Sequence, residues 1–162
     1  MLKEATTREI ANDAMNLSLL IQNNTAFDTT GSAMKSYAEV ELLLFRNRPQ
    51  EALQRLDSML KIYPEHPLTD EIYWLQAQVN LRSGNFEQSL SDLEKITSTY
   101  AQDILGDDAL FMTGKIYEEQ LKDDKKAMEI YTEFLTKYPG SIYVADVRKR
   151  FRKLRGDFKV NN

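Results

Sequence analysis

The feature that most constrains this chain is a period. The segments "KIYPEH" (61–66), "STYAQD" (98–103) and "TKYPGS" (136–141) place tyrosines at 63, 100 and 138, at offsets of 37 and 38 residues. Setting Tyr63 over Tyr100 also sets Tyr37 over Trp74, Leu44 over Leu81, Ala52 over Ser89, Leu56 over Leu93 and Met59 over Ile96. Setting Tyr100 over Tyr138 sets Ser89 over Ala127, Leu93 over Tyr131 and Ile96 over Phe134. Upstream the offset returns to 37, with Trp74 over Phe111 and Ala77 over Gly114, which puts one inserted residue in the turn "QLKDDKKA" (120–127). Periods of 20–50 residues belong to chains built from stacked supersecondary units. The expected repeats are 33–66, 70–103 and 107–141.

Each repeat holds two helical patterns around a polar turn. In "LTDEIYWLQAQVNLR", Ile72, Leu75 and Val79 stand at i, i+3 and i+7, one face of a helix. The turn "SGNF" follows, where Gly84 can take the left-handed conformation that ends a helix. Leu90, Leu93 and Ile96 then carry a second apolar face. The other repeats follow the same plan with turns "NRPQ" and "LKDDKK". The fold class is all-α.

The tyrosines close the second helices, and a proline after Tyr63 and Tyr138 disfavours helical geometry at the residue before it. Three residues on lies a column of His66, Asp103 and Ser141, expected to cap the next helix, with Pro67 suited to a first helical position. "YPEH", "YAQD" and "YPGS" therefore read as joints between repeats, with each ring packed into its joint.

Composition bounds the activity. There is no cysteine, so disulfides and thiolate metal sites are excluded. No apolar run approaches the ~20 residues of a membrane span, and "MLKEATTREI" lacks the basic-then-apolar order of a signal peptide. Charge is unevenly placed: the run "RKRFRKLR" (148–155) holds six of the 21 basic residues, which leaves 15 against 25 acidic ones elsewhere, a balance of −10. Catalysis has few candidates. The single histidine, His66, is explained by the cap column, Asp107 and Asp108 suit a helix start, and Gly114-Lys115 lacks the glycines of a phosphate loop. The chain is expected to be no enzyme and to need no cofactor or metal.

On these residues the chain resembles the tetratricopeptide-repeat family, over about 33–141. The family pattern of small residues is met at Ala77 and Gly114 in the first helices and at Ala52, Ser89 and Ala127 in the second. The large apolar residue four positions later is Leu56, Leu93 or Tyr131, and repeat ends carry Pro64 and Pro139. The first repeat departs, with Val40 in place of a small residue and Pro49 in its turn; the second has Ala101 in place of the final proline. The resemblance implies a right-handed α-α superhelix of three helix-turn-helix units, acting as a non-catalytic module that binds a partner protein or peptide in a concave groove. The matching groove positions are Tyr37, Glu41 and Leu44; Trp74, Gln78 and Leu81; and Phe111, Lys115 and Glu118. An aromatic opens each triplet, as a binding anchor or as packing between neighbouring first helices. The repeat length is similar to that of bacterial cell-envelope proteins such as the BamD-type assembly lipoproteins and YbgF-type Tol-Pal accessory proteins, which favours the periplasm or envelope over the cytoplasm.

The ends extend the plan. Ile10, Ala14, Leu17 and Ile21 imply a helix over 3–23, a cap or half of an earlier repeat, joined by "NNTAFDTTGS"; in the latter case the chain is the C-terminal part of a longer array. Val144, Val147, Phe151 and Leu154 stripe a capping helix over 141–155. Its basic face, Arg148, Lys149, Arg152 and Lys153, could meet an anionic surface or nucleic acid, but it reads first as the solvated side of a cap, with Asp146 and Arg150 paired at i, i+4. Self-association through the terminal helices is the remaining alternative. "RGD" (155–157) reads as a helix end at Gly156, "SAMK" (32–35) lacks the companion motifs of a serine nucleophile, and "NLS" and "NNT" are glycosylation sequons by pattern only.

Overall fold

A computed structural model describes residues 31–157, so the helix expected over 3–23 lies outside the described residues. Seven α-helices and no strand occur among them: α1 (Ser32–Phe45), α2 (Pro49–Ile62), α3 (Thr69–Arg82), α4 (Phe86–Thr99), α5 (Gly106–Lys115), α6 (Asp124–Lys137) and α7 (Val144–Arg155). A π-helical turn, Ile116–Gln120, continues α5. The fold is an all-α helical repeat. None of these helices is long and apolar enough to cross a membrane.

The chain forms two compact bodies, Met1–Ile72 and Tyr73–Asn162. In the first, α1 and α2 bury Ala33, Tyr37 and Val40 against Ala52, Leu56 and Met59. Arg55 of α2 donates to Glu39 of α1 at 2.7 Å across the pair. The second body has two apolar cores: Ala77, Leu93, Ile96, Ala109 and Ile116 form one, and Leu110, Ala127, Tyr131, Phe134 and Val147 the other.

The turns within the first two repeats share one geometry. The amides of Arg48 and Asn85 donate five residues back, to Leu43 and Asn80, and the residue before each is left-handed, Asn47 at φ 56 and Gly84 at φ 78. This bond pattern ends a helix by satisfying its last carbonyls. In the third repeat Leu121 donates to Ile116, Asp123 reaches six residues back to Tyr117, and left-handed Lys122 takes the place of Gly84. The inserted residue is therefore absorbed inside the helix as the π-turn, not in the turn after it. A single added residue in a helix is accommodated by widening one turn.

The joints are also uniform. The amides of Tyr63, Tyr100 and Tyr138 close the preceding helices on Met59, Ile96 and Phe134. Each tyrosine carbonyl then accepts from His66, Asp103 or Ser141, whose own carbonyls accept from Thr69, Gly106 and Val144. The expected cap column is thus a second turn placed before the helix. It receives the first helical amide on its backbone carbonyl, while the side chains of His66 and Ser141 accept from Leu68 and Tyr143 at 3.1 Å. Pro67 lies in that turn, and the proline at a helix start is Pro49. Tyr138 shows what the ring does, since its hydroxyl donates to the Ala101 carbonyl of the preceding joint at 2.9 Å.

Candidate functional site

The second body contains a half-open hollow of about 260 Å³ between α3, α5 and the joint before α7. Trp74 and Leu81 of α3 form one wall. Asp108, Phe111, Met112 and Lys115 of α5 form the other, extended by Ile116, Glu119 and Gln120 of the π-turn, and Tyr143 closes one end. Trp74 and Leu81 face the same way because they lie seven residues apart on one helix, close to two full turns.

Four expected groove residues, Trp74, Leu81, Phe111 and Lys115, meet here. Glu118 does not line the hollow, and Glu119 stands there instead. The π-turn supplies the reason, because one extra residue before the helix ends moves the next position onto the face that Leu81 occupies in α3. Glu118 turns inward, accepting from the Tyr131 hydroxyl at 2.6 Å and the Arg150 guanidinium at 2.9 Å. Gln78 is half-buried on α3 and outside the lining. In the first body Tyr37 is only 6% exposed, so its ring is packed; Leu44 is half-buried and Glu41 exposed.

The walls are held by specific contacts. Phe111 stacks on Tyr143 with ring centroids 4.5 Å apart and an interplanar angle of 19°. The Lys115 ammonium lies 5.8 Å from the Phe111 centroid and the Arg150 guanidinium 5.9 Å, cation–π contacts that place positive charge beside an aromatic wall. Tyr143 donates to Asp108 at 2.5 Å. That bond and burial push the Tyr143 phenol up to about 12. Burial raises the Asp108 carboxyl, partly offset by the same bond, and the Asp107 charge raises it further.

Burial alone would raise Glu118, but hydrogen bonds from Tyr131 and Arg150 and the nearby charges of Arg150 and Lys153 bring it below its ordinary value. Arg150 also reaches Glu119 at 2.7 Å and Asp146 at 3.1 Å, so the expected i, i+4 pair is one arm of a wider network. Against the cost of burial, these carboxylates hold Arg150 firmly protonated. Arg148, Lys149, Arg152 and Lys153 are exposed on α7 and line no part of the hollow.

Asp108, Met112, Ile116, Glu119, Gln120 and Tyr143 line the hollow and were not among the expected groove residues. Met112 shares a repeat column with Leu75, and Tyr143 one with Leu68 and Leu105, so both could have been found by extending the aligned positions; the stack of Tyr143 on Phe111 could not. Among the described residues no group of three or more His, Cys, Asp or Glu is arranged to hold a metal ion. The hollow can accept an apolar side chain between Trp74 and Phe111, with hydrogen-bonding partners at its rim.

Residues 108–141 match the family model of the tetratricopeptide repeat. No curated protein matches the chain. The matched segment runs from the first turn of α5 to the joint before α7, and so takes in the whole α5 wall of the hollow with its π-turn extension.

Proposed function

We propose that this all-α repeat chain, one repeat of which matches the tetratricopeptide-repeat model, is a non-catalytic adaptor that takes a segment of a partner protein into the hollow between α3 and α5. Tetratricopeptide repeats generally mediate protein–protein interaction. The observation that carries the finer reading is the hollow itself: an aromatic and aliphatic interior opening at Lys115, Glu119 and Gln120. An apolar side chain there loses contact with water, contributing roughly 25 cal/mol per Å² of apolar area buried, while the rim orients the peptide. A place in a bacterial cell-envelope assembly, implied by the repeat length, belongs to the same proposal, and fractionation of the native host would test it.

Trp74 is the sole tryptophan of the chain and lines the hollow, so its emission reports occupancy. Peptides selected from a random library on the immobilised protein should shift or quench Trp74 emission on binding. Met112→Asp, which sets a charge in the apolar interior, should weaken them at least about tenfold, or 1.4 kcal/mol. Binders that leave Trp74 emission and Met112→Asp affinity unchanged would contradict the assignment, and so would a selection that yields none.

A further inference from the structure

Helix α1, the first among the described residues, carries an apolar stripe, and apolar residues at two of its three positions are covered in later repeats. Ala38, Leu42 and Phe45 stand at i, i+4 and i+7 on α1; Leu42 is 45% and Phe45 88% exposed. The repeat sets Leu75 and Met112 over Ala38, and Val79 and Ile116 over Leu42. Leu75 is 9%, Val79 3% and Ile116 1% exposed. Exposure at Ala38 and Leu42 is therefore a property of their place in the array, since Leu75, Val79 and Ile116 in their columns are buried further along the chain; Phe45, whose column holds the exposed Arg82, lengthens the stripe on α1 alone.

The third repeat shows what covers such a stripe. Ile116 belongs to one buried core with Leu93 and Ile96 of α4, the helix that precedes α5, and Met112 packs against that core. Of the four buried positions of α4, Ser89, Leu93 and Ile96 are spaced i, i+4 and i+7, with Asp92 beside them. Before α1 the sequence offers the same spacing at Ile10, Ala14 and Leu17, continued at Ile21 and followed by a polar connection. We propose that residues 3–23 form a helix docked on the Ala38–Leu42–Phe45 face of α1, occupying toward α1 the place that α4 occupies toward α5. Matching the buried positions in order sets Leu17 in the place of Ile96 and Leu42 in that of Ile116, a pair that shares one core in the third repeat. The surface is then an internal docking face, and it is unavailable to a partner while the N-terminal segment holds it.

The absence of cysteine makes the test clean. The Leu17→Cys, Leu42→Cys double variant should form an intrachain disulfide under mild oxidation. In hydrogen exchange on the full chain, the amides of 10–21 should be protected, and Leu42→Asp with Phe45→Asp should abolish that protection while α4 to α7 keep theirs. Both substituted side chains are largely exposed in the described residues, so the variant leaves the cores intact. Exchange of 10–21 at the rate of an unstructured peptide, or protection that survives the aspartates, would overturn the proposal. So would a disulfide that forms only between chains, which would assign the stripe to a second copy.

Discussion

The second helix pair, α3 with α4, and the third, α5 with α6, fill the same repeat columns with different chemistry. In the second, Ala77 faces the column of Leu93, Ser89 donates to the Ala77 carbonyl at 2.8 Å, and Asn80 donates to buried Asp92 at 2.8 Å. In the third, the methyl of Ala77 is absent at Gly114 and the leucine has become Tyr131, whose ring would lie 2.4 Å from a Cβ on Gly114. The ring takes the space that the methyl would fill, and its hydroxyl carries the polar bond out to Glu118 and Arg150. The comparison teaches that a repeat conserves filled volume and paired polar groups at a column, while the residues that do so can be exchanged in concert.

Gly114→Ala should break this arrangement most severely. In an ordinary helix Gly to Ala gains about 0.5–1 kcal/mol, but overpacking against the fixed ring should cost about 1–3 kcal/mol and reverse the sign. Urea unfolding should show a lower midpoint for Gly114→Ala, and a smaller or reversed effect of the same change on a Tyr131→Leu background. Equal effects in both backgrounds would mean that the two columns do not compensate.

The polar network comes next. Arg150→Ala leaves Glu118, whose side chain is 9% exposed, without its cation, and should cost about 1–2 kcal/mol after allowance for the solvent exposure of Arg150. The sign of its pH dependence follows from the lowered Glu118 carboxyl. Its stabilising share is complete above the ordinary glutamate value of about 4.3 and is lost as pH falls through the lower folded value. Asp108, raised by burial, acts in the opposite sense and offsets part of that loss. Unfolding midpoints compared at about pH 6 and about pH 3 should therefore fall less for Glu118→Gln than for the native chain.

The smallest effect lies in the turns. Asn47, Gly84 and Lys122 share one left-handed column, and Lys122 is the member whose side chain least suits φ 56. Lys122→Gly should raise stability by about 0.5–1 kcal/mol, read as a higher thermal midpoint, if the third turn is only a longer copy of the second. A lower midpoint would show that the Lys122 side chain contributes to the π-turn itself.

Much of this was legible in the period. The columns Ala52, Ser89, Ala127 and Leu56, Leu93, Tyr131 point inward as aligned, and every one is buried. What periodicity could not place was the inserted residue: offsets count it without saying whether a loop or a helix takes it up. Glu118 and Glu119 exchange roles on that difference. The joints misled for a related reason, because Ser and Asp favour caps and preceding turns alike, and only the backbone bonds distinguish the two. Tyr143 enters the hollow through its stack on Phe111 and its bond to Asp108, 35 residues back, a contact that no local spacing encodes.

The central claim is that partner binding falls on the first helices of the second body. Backbone and side-chain NMR shifts on titration with a library-selected peptide test it most directly. The account predicts the largest changes at Trp74, Leu81, Met112, Lys115 and Gln120, all on the hollow. Changes centred instead on exposed positions of the second helices, such as Glu94 of α4 and Glu133 of α6, would contradict it.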